Sequence, residues 1–236
     1  MRVAALYDIH SNLPALEAVL RDVRRETIDR IVVGGDVLPG PMPRETMAFL
    51  QDLDIPVEFI RGNGDREVLA LLDGDETSGV PEKFRHVVKW TALQLRSDDA
   101  LAIAAWPPTL QLPIAGLGDV LFCHATPRSD TEIFTRETPE ENLLPAFADV
   151  SSSLVICGHT HTQFDRMIGA VRVVNAGSVG MPFEERGAYW LQLGPDVRLQ
   201  RSEYDYEAAA ARVRATSYPE ADNFAACNIL HPPGAL

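Results

Sequence analysis

The chain has 236 residues, 46% of them hydrophobic and 23% charged, enough apolar content to bury a substantial core and too much for a disordered polypeptide. Its 21 basic and 34 acidic side chains leave a net charge of −13, which argues against stable binding to nucleic acid or to an anionic membrane through a basic surface. No run approaches the roughly 18 apolar residues of a membrane span, and the stretch before Asp8 is too short for a signal peptide, so the expected location is the cytoplasm.

Short apolar runs come first: Val3 to Tyr7, Ile31 to Gly34 and Val57 to Ile60 read as buried strands. Leu13, Leu16, Leu20 and Val23 recur at helical spacing, with Ser11 or Asn12 as N-cap and Pro14 in the first turn. A second helix over Pro43 to Leu53 completes a β-α-β-α-β start, which forces a largely parallel arrangement. Residues 66 to 105 read as mostly helical, interrupted by an acidic loop over 73–79, and Trp90 and Leu93 are expected to pack. Trp106-Pro107-Pro108 ends that region. Thr109 to Ile114 and Val120 to Cys123 predict a hairpin around Gly116-Leu117-Gly118. Further strands are predicted at Leu154 to Cys157, Val171 to Val174, Ala188 to Leu193 and Val197 to Glu203, the last two as a hairpin. After Asp205 an alanine-rich helix is expected, then an irregular tail from Pro219. The three cysteines cannot all pair, and Cys123 and Cys157 read as small hydrophobes in core strands.

Each of five strands is followed by a metal-ligand type: Asp8 and His10, Asp36, Asn63, His124, then His159 and His161. In α/β sheets such positions gather into one crevice beyond the carboxyl ends of the strands. Carboxylate, amide oxygen and imidazole without thiolate suit manganese, iron, zinc, nickel or cobalt. Two such ions about 3.5 to 4 Å apart can clamp a displacement at phosphorus, and Asp36, after two glycines, is the candidate bridging carboxylate.

Asp8-x-His10, Gly35-Asp36, Gly62-Asn63, His124 and Gly158-His159-x-His161 resemble the motifs of the calcineurin-like metallophosphoesterases. Asp8-Ile9-His10-Ser11-Asn12 and Asn175-Ala176-Gly177-Ser178-Val179-Gly180 are similar to that superfamily's small bacterial phosphodiesterase branch. The resemblance implies a four-layer α-β-β-α sandwich of two packed mixed sheets flanked by helices. It further implies a first metal on Asp8, His10, Asp36 and His161 and a second on Asp36, Asn63, His124 and His159. A single domain over residues 1–236 is expected, with its core at about 1–204 and a C-terminal helix and tail at 205–236.

One departure concerns the leaving group. Where the family's asparagine motif continues with histidine, this chain has Gly64, then Asp65. Asp65 is a candidate for orienting a ligand or water, or for N-capping a helix from Arg66 to Leu72. Installing histidine at Gly64 is expected to raise monoesterase activity if the side chain fits. Candidate substrate contacts are Asn12, Arg128 and Ser178, each with a competing reading as a cap, a surface arginine or a turn residue. Phe134 reads as core, and His86 and His231 have no evident partner.

The function expected is hydrolysis of a phosphodiester by in-line attack of a metal-bridging hydroxide, with Asp36, Asn63 and His124 acting through two divalent ions, manganese first. Activity should then fall as pH drops through about 6.5, where histidine ligands protonate. The alternative enzyme is a hydrolase of dinucleoside polyphosphates such as diadenosine tetraphosphate, and the alternative from another class is a non-catalytic scaffold on the same fold. The expected partner is a small phosphate ester, and self-association is left open.

Overall fold

The computed structural model describes residues 1–75 and 79–234. Its strands are β1 (Val3–Leu6), β2 (Arg30–Val33), β3 (Val57–Phe59), β4 (Thr109–Ile114), β5 (Gly118–Cys123), β6 (Leu154–Cys157), β7 (Gln163–Ile168), β8 (Val171–Ala176), β9 (Ala188–Leu193) and β10 (Val197–Ser202). They form two five-stranded mixed sheets, ordered β10-β9-β1-β2-β3 and β4-β5-β6-β8-β7. In the first, β1, β2 and β3 run parallel while β9 and β10 are antiparallel. In the second, β5, β6 and β8 run parallel, flanked by antiparallel β4 and β7.

Alternation along the strands builds the layers. Val3, Ala5 and Tyr7 face Phe122, Ile156 and Val174 across the gap between the sheets. Ala4 and Leu6, pointing the other way, join the helical layer. That layer contains α1 (Leu13–Val23), α2 (Pro43–Gln51), α3 (Asn63–Leu72), α4 (Glu82–Gln94), α5 (Ser97–Ala104) and α7 (Tyr206–Arg214). The outer face of the second sheet is covered through α6 (Glu140–Phe147), where Leu143 and Phe147 meet Val155, Cys157 and Phe164. A strand buried on both faces needs apolar residues throughout, which is why β1 and β6 read as unbroken hydrophobic runs. This is the expected four-layer sandwich, and the mixed sheets place the carboxyl ends of β1, β2, β3, β5 and β6 along one rim.

Several expectations are corrected. Helix α6 carries Pro145 internally, and strand β7, Gln-Phe-Asp-Arg-Met-Ile, is an edge strand with exposed polar residues; neither shows a clean period in the sequence. The segment after Pro219 is not irregular: α8 (Ala221–Phe224) continues into a wide helical turn over Ala225–Leu230. Phe224, Ala225 and Ile229 are buried with α1 and α7, so apolar burial, which a lone proline does not prevent, orders the segment. Leu93 does not pack and is 70% exposed, whereas Trp90 meets Tyr218 edge-on at 5.3 Å. Of the 73–79 loop, Glu76, Thr77 and Ser78 lie outside the described residues. No helix among the described residues is long and apolar enough to cross a membrane.

Candidate metal centre

The rim brings together all seven ligand-type side chains found at strand ends. Asp8 and His10 follow β1, Asp36 follows β2, Asn63 opens α3 after β3, His124 follows β5, and His159 and His161 follow β6. Asp8, His10, Asp36, His159 and His161 have left-handed backbone, with φ of 53, 45, 51, 69 and 59°. Such residues persist only where surrounding structure holds them, and they concentrate at functional sites. Backbone bonds do the holding here: Asp8 N donates to Gly35 O at 3.1 Å and His10 N to Asp36 O at 2.9 Å. Gly35 has φ +91° and passes so close to the next loop that a Cβ would lie 2.6 Å from Gly62 N. Only glycine fits there.

Two groups of side chains converge. The ligand atoms of Asp8, His10 and His161 lie within 4.8 Å of one another, as do those of Asp36, His124 and His159. Asp36 stands between them, its Oδ2 3.8 Å from His10 Nε2 and its Oδ1 3.5 Å from His124 Nε2. One end of the Asn63 amide lies 3.0 Å from His159 Nδ1 and 3.2 Å from His124 Nε2. An oxygen there faces the same point as the two imidazole lone pairs and is matched by a shared cation; turned over, the amide donates to those nitrogens instead.

Carbonyls around the rim set the tautomers. His10 Nδ1 meets Pro39 O at 3.3 Å, His124 Nδ1 meets Gly34 O at 3.0 Å, and His161 Nδ1 meets Met181 O at 2.7 Å. With Nδ1–H donating to a carbonyl, the lone pair is left on Nε2, facing inward. His10 Nε2 and His161 Nε2 then stand 3.2 Å apart. Asp8 Oδ2 accepts from His159 N at 2.9 Å, but Asp8 Oδ1 is buried without a hydrogen-bond partner, 3.4 Å from His161 Nε2. A partnerless buried carboxylate oxygen beside converging imidazole lone pairs is an expensive arrangement that a divalent cation resolves. The donor set therefore fits metal, with N and O ligands of borderline hardness. The buried thiols of Cys123 and Cys157 belong to the core on the other side of the sheet, where burial raises them far above the ordinary thiol range.

The protonation pattern follows from burial and neighbours. Burial pushes His10 down to about 3 and His159 down to about 4. For His161, burial works downward too, but the Asp8 and Asp36 carboxylates carry it above its ordinary value. Asp36 is raised by burial and by the Asp8 charge; for Asp8, burial is outweighed by the surrounding imidazoles, which hold it below the usual carboxylate range.

Asp65 is a clamp rather than the N-cap of a helix from Arg66. Helix α3 starts three residues earlier, with Gly62 as its cap. Fully buried, the Asp65 carboxylate accepts from Gly62 N at 3.0 Å, Asp36 N at 2.9 Å and Leu38 N at 3.0 Å. It thereby ties the loop carrying Asp36 to the turn carrying Asn63. Burial and the Asp36 charge push it up to about 7, against those three N–H donors.

The candidate substrate contacts fare less well. Asn12 is fully buried, its amide donating to Gly180 O at 2.9 Å and capping Ala15 N at 3.4 Å. Ser178, also fully buried, donates to Asp8 O and accepts from Met181 N, both at 2.8 Å. Both side chains brace the rim from behind. Arg128 is paired with Glu132 and lines a cavity of about 440 Å³ together with Arg61, His124, Thr126 and Asp130. Phe134 is core, edge-on to Phe147 and Phe164, and His86 pairs with Glu220 at 3.0 Å. Unforeseen neighbours are Phe183, 5.0 Å from the His161 ring, Glu67, bonded to Asn63 and raised by burial, and the Arg66–Asp130 pair at 2.7 Å. No spacing in the sequence signals these three.

The model of the calcineurin-like phosphoesterase superfamily domain matches residues 1–193. The chain belongs to that superfamily. An uncharacterised protein of Methanocaldococcus jannaschii is 27% identical over 242 residues, covering 92% of this chain and 94% of that one. The solved metallophosphoesterase of Sphaerobacter thermophilus is 26% identical with a TM-score of 0.75, over 97% and 99% of the two chains. A hypothetical protein of Pyrococcus horikoshii shares the fold, at 22% identity, a TM-score of 0.81 and 100% and 99% coverage. The protein is thus a phosphoesterase of a metal-dependent family, with two candidate clusters of metal-holding side chains.

Proposed function

We propose that this phosphoesterase hydrolyses phosphodiester bonds using two divalent cations, one held by Asp8, His10, Asp36 and His161 and the other by Asp36, Asn63, His124 and His159. The observation that carries the reading is Asp36, whose two oxygens face different groups while the buried Asp8 Oδ1 has no other partner. Bound ions, manganese first, would supply an acidified water as nucleophile and neutralise charge on the phosphoryl oxygens. The chain's own part is positioning. Asp65 holds the two loops in register, and carbonyl partners keep the inward nitrogens of His10, His124 and His161 free to coordinate.

The surroundings favour a singly charged substrate. Beside Asn63 stand Glu67 and the Arg66–Asp130 pair, an acidic edge with its arginine already neutralised. A monoester brings a second negative charge to this edge and lacks the imidazole that Gly64 replaces. The competing reading, a dinucleoside polyphosphate substrate, draws support from Arg61, which lines the 440 Å³ cavity and pairs with no carboxylate among the described residues. The proposed setting is a cytoplasmic enzyme acting on a small ester.

The test is kcat/KM of manganese-loaded protein for a paired aryl diester and monoester, alongside diadenosine tetraphosphate. We expect the diester to be fastest; a monoester preference refutes the diesterase reading, and a polyphosphate preference moves the substrate to the Arg61 cavity.

A further inference from the structure

Neither group of ligands is complete on one sheet. Asp8 and His10 come from the first sheet and His161 from the second; Asp36 comes from the first, His124 and His159 from the second. The gap between the sheets therefore sets the distance across each group, from the ligands of one sheet to those of the other.

Tyr7 sits in that gap, fully buried, directly before Asp8. Its ring lies in a slot between two strand ends. A Cβ on Gly34, at the end of β2, would come within 2.0 Å of the ring, and one on Gly158, after β6, within 2.5 Å of Cδ1. The first glycine belongs to one sheet and the second to the other, so the ring is wedged between both. The phenol donates to Ile156 O of β6 at 3.0 Å. Other bonds join the sheets near this level, among them His124 Nδ1 to Gly34 O at 3.0 Å, His159 N to Asp8 Oδ2 at 2.9 Å, and Ser178 Oγ to Asp8 O at 2.8 Å, and each of these uses a ligand residue. Tyr7 makes its tie without being a ligand.

We propose that Tyr7 is a positioning residue, a spacer slotted between Gly34 and Gly158 that fixes how far the ligands of the first sheet stand from those of the second in both groups. The inference rests on the two-ion reading above. Groups hydrogen-bonded directly to a metal ligand are typically worth about 10- to 100-fold in metal affinity; Tyr7 acts one step further out, through close packing that tolerates no gap.

The experiment is manganese titration of Tyr7→Phe against wild type, with EPR of the loaded protein to read exchange coupling between the two ions and melting of the metal-free protein to read fold. The expected result is wild type with two coupled ions, and Tyr7→Phe, which keeps the ring in its slot but frees Ile156 O, with weaker manganese binding, altered coupling and a metal-free melting temperature lowered by the loss of one buried hydrogen bond. A second arm uses Gly34→Ala, alone and combined with Tyr7→Ser. Because the added methyl meets the tyrosine ring, Gly34→Ala should cost much more manganese affinity in the native background than in the Tyr7→Ser background. Equal costs overturn the spacer, and unchanged occupancy and coupling in Tyr7→Phe overturn the phenol's tie to β6 as part of it. Wild type holding a single ion overturns the two-ion reading as well, which distinguishes the failures.

Discussion

The two ligand groups differ in how they meet solvent. Asp8, His10 and His161 are enclosed, at 0%, 7% and 7% exposure, whereas His159 and Asn63 leave the second group half open. An ion in the enclosed group would have little contact with solvent. An ion in the second can reach both substrate and bulk water. On the two-ion reading proposed above, the enclosed group would hold its ion and the open group would meet the substrate, with Asp36 standing between them.

Removing the shared carboxylate is the harshest way to break this division. Asp36→Ala should weaken both ions together and lower kcat by on the order of 10² to 10³, the usual cost of losing one preorganised electrostatic partner. Elemental analysis after gentle purification and manganese resupply checks it. One ion retained at full affinity would mean that Asp36 is not shared.

A gentler cut sharpens the contrast. Asn63→Ala touches only the open group, so occupancy should fall from two ions to one while the enclosed ion stays. Affinity for the second ion should drop by about 10- to 100-fold or more, as support losses alone cost that much. Loss of both ions from Asn63→Ala would show that the groups are not separable.

Gly64 lies where the open group meets the Asp36 loop, and the structure corrects the expectation that histidine could be installed there. A Cβ would fall 2.4 Å from Leu38 O, 3.0 Å from Pro39 Cδ and 3.1 Å from Asp36 Oδ1. Backbone cannot swing aside as a long side chain can. Gly64→Ala should therefore destabilise the fold by about 1–3 kcal/mol, and Gly64→His should lose metal rather than gain monoesterase activity. Denaturant melts of the metal-free variants measure this; wild-type stability in Gly64→Ala would show that the loop gives way.

What could be read from the sequence follows the same line of enclosure. The strands that position ligands are buried on both faces, so β1, β2, β5 and β6 announced themselves as apolar runs, each ending in a side chain of ligand chemistry. The supports did not. Asp65 acts through three backbone N–H groups contributed by two loops, and a carboxylate that recognises backbone leaves no residue pattern. The carbonyls of Pro39, Gly34 and Met181 that turn the histidines have no side-chain identity at all. Tyr7 read as one more strand residue, because its slot is made by glycines 27 and 151 positions away. Edge strand β7 and the C-terminal helical turn were missed for a different reason: they are ordered by what they pack against rather than by their own periodicity.

Protons provide the smallest and most discriminating effect. Ordinary imidazoles would lose metal together as pH falls through about 6.5, but burial and the neighbouring carboxylates set His10, His159 and His161 apart. Burial holds His10 near 3 and His159 near 4, so their neutral rings contribute stability that is present above 6.5 and lost only as pH falls toward those values. His161 has the opposite sign. Its raised value means that the proton stabilises the metal-free fold fully below 6.5, a contribution lost as pH rises through the raised value. Between about pH 5 and 6.5, the His161 proton therefore competes with metal in the enclosed group, while His159 in the open group offers none. The enclosed ion should be the more acid-sensitive of the two. Ring ¹⁵N shifts of metal-free protein at about pH 6 decide the matter: His161 should be cationic and His10 and His159 neutral. If His10 and His159 instead titrate near their ordinary value, burial does not govern the site, and the ions should leave together.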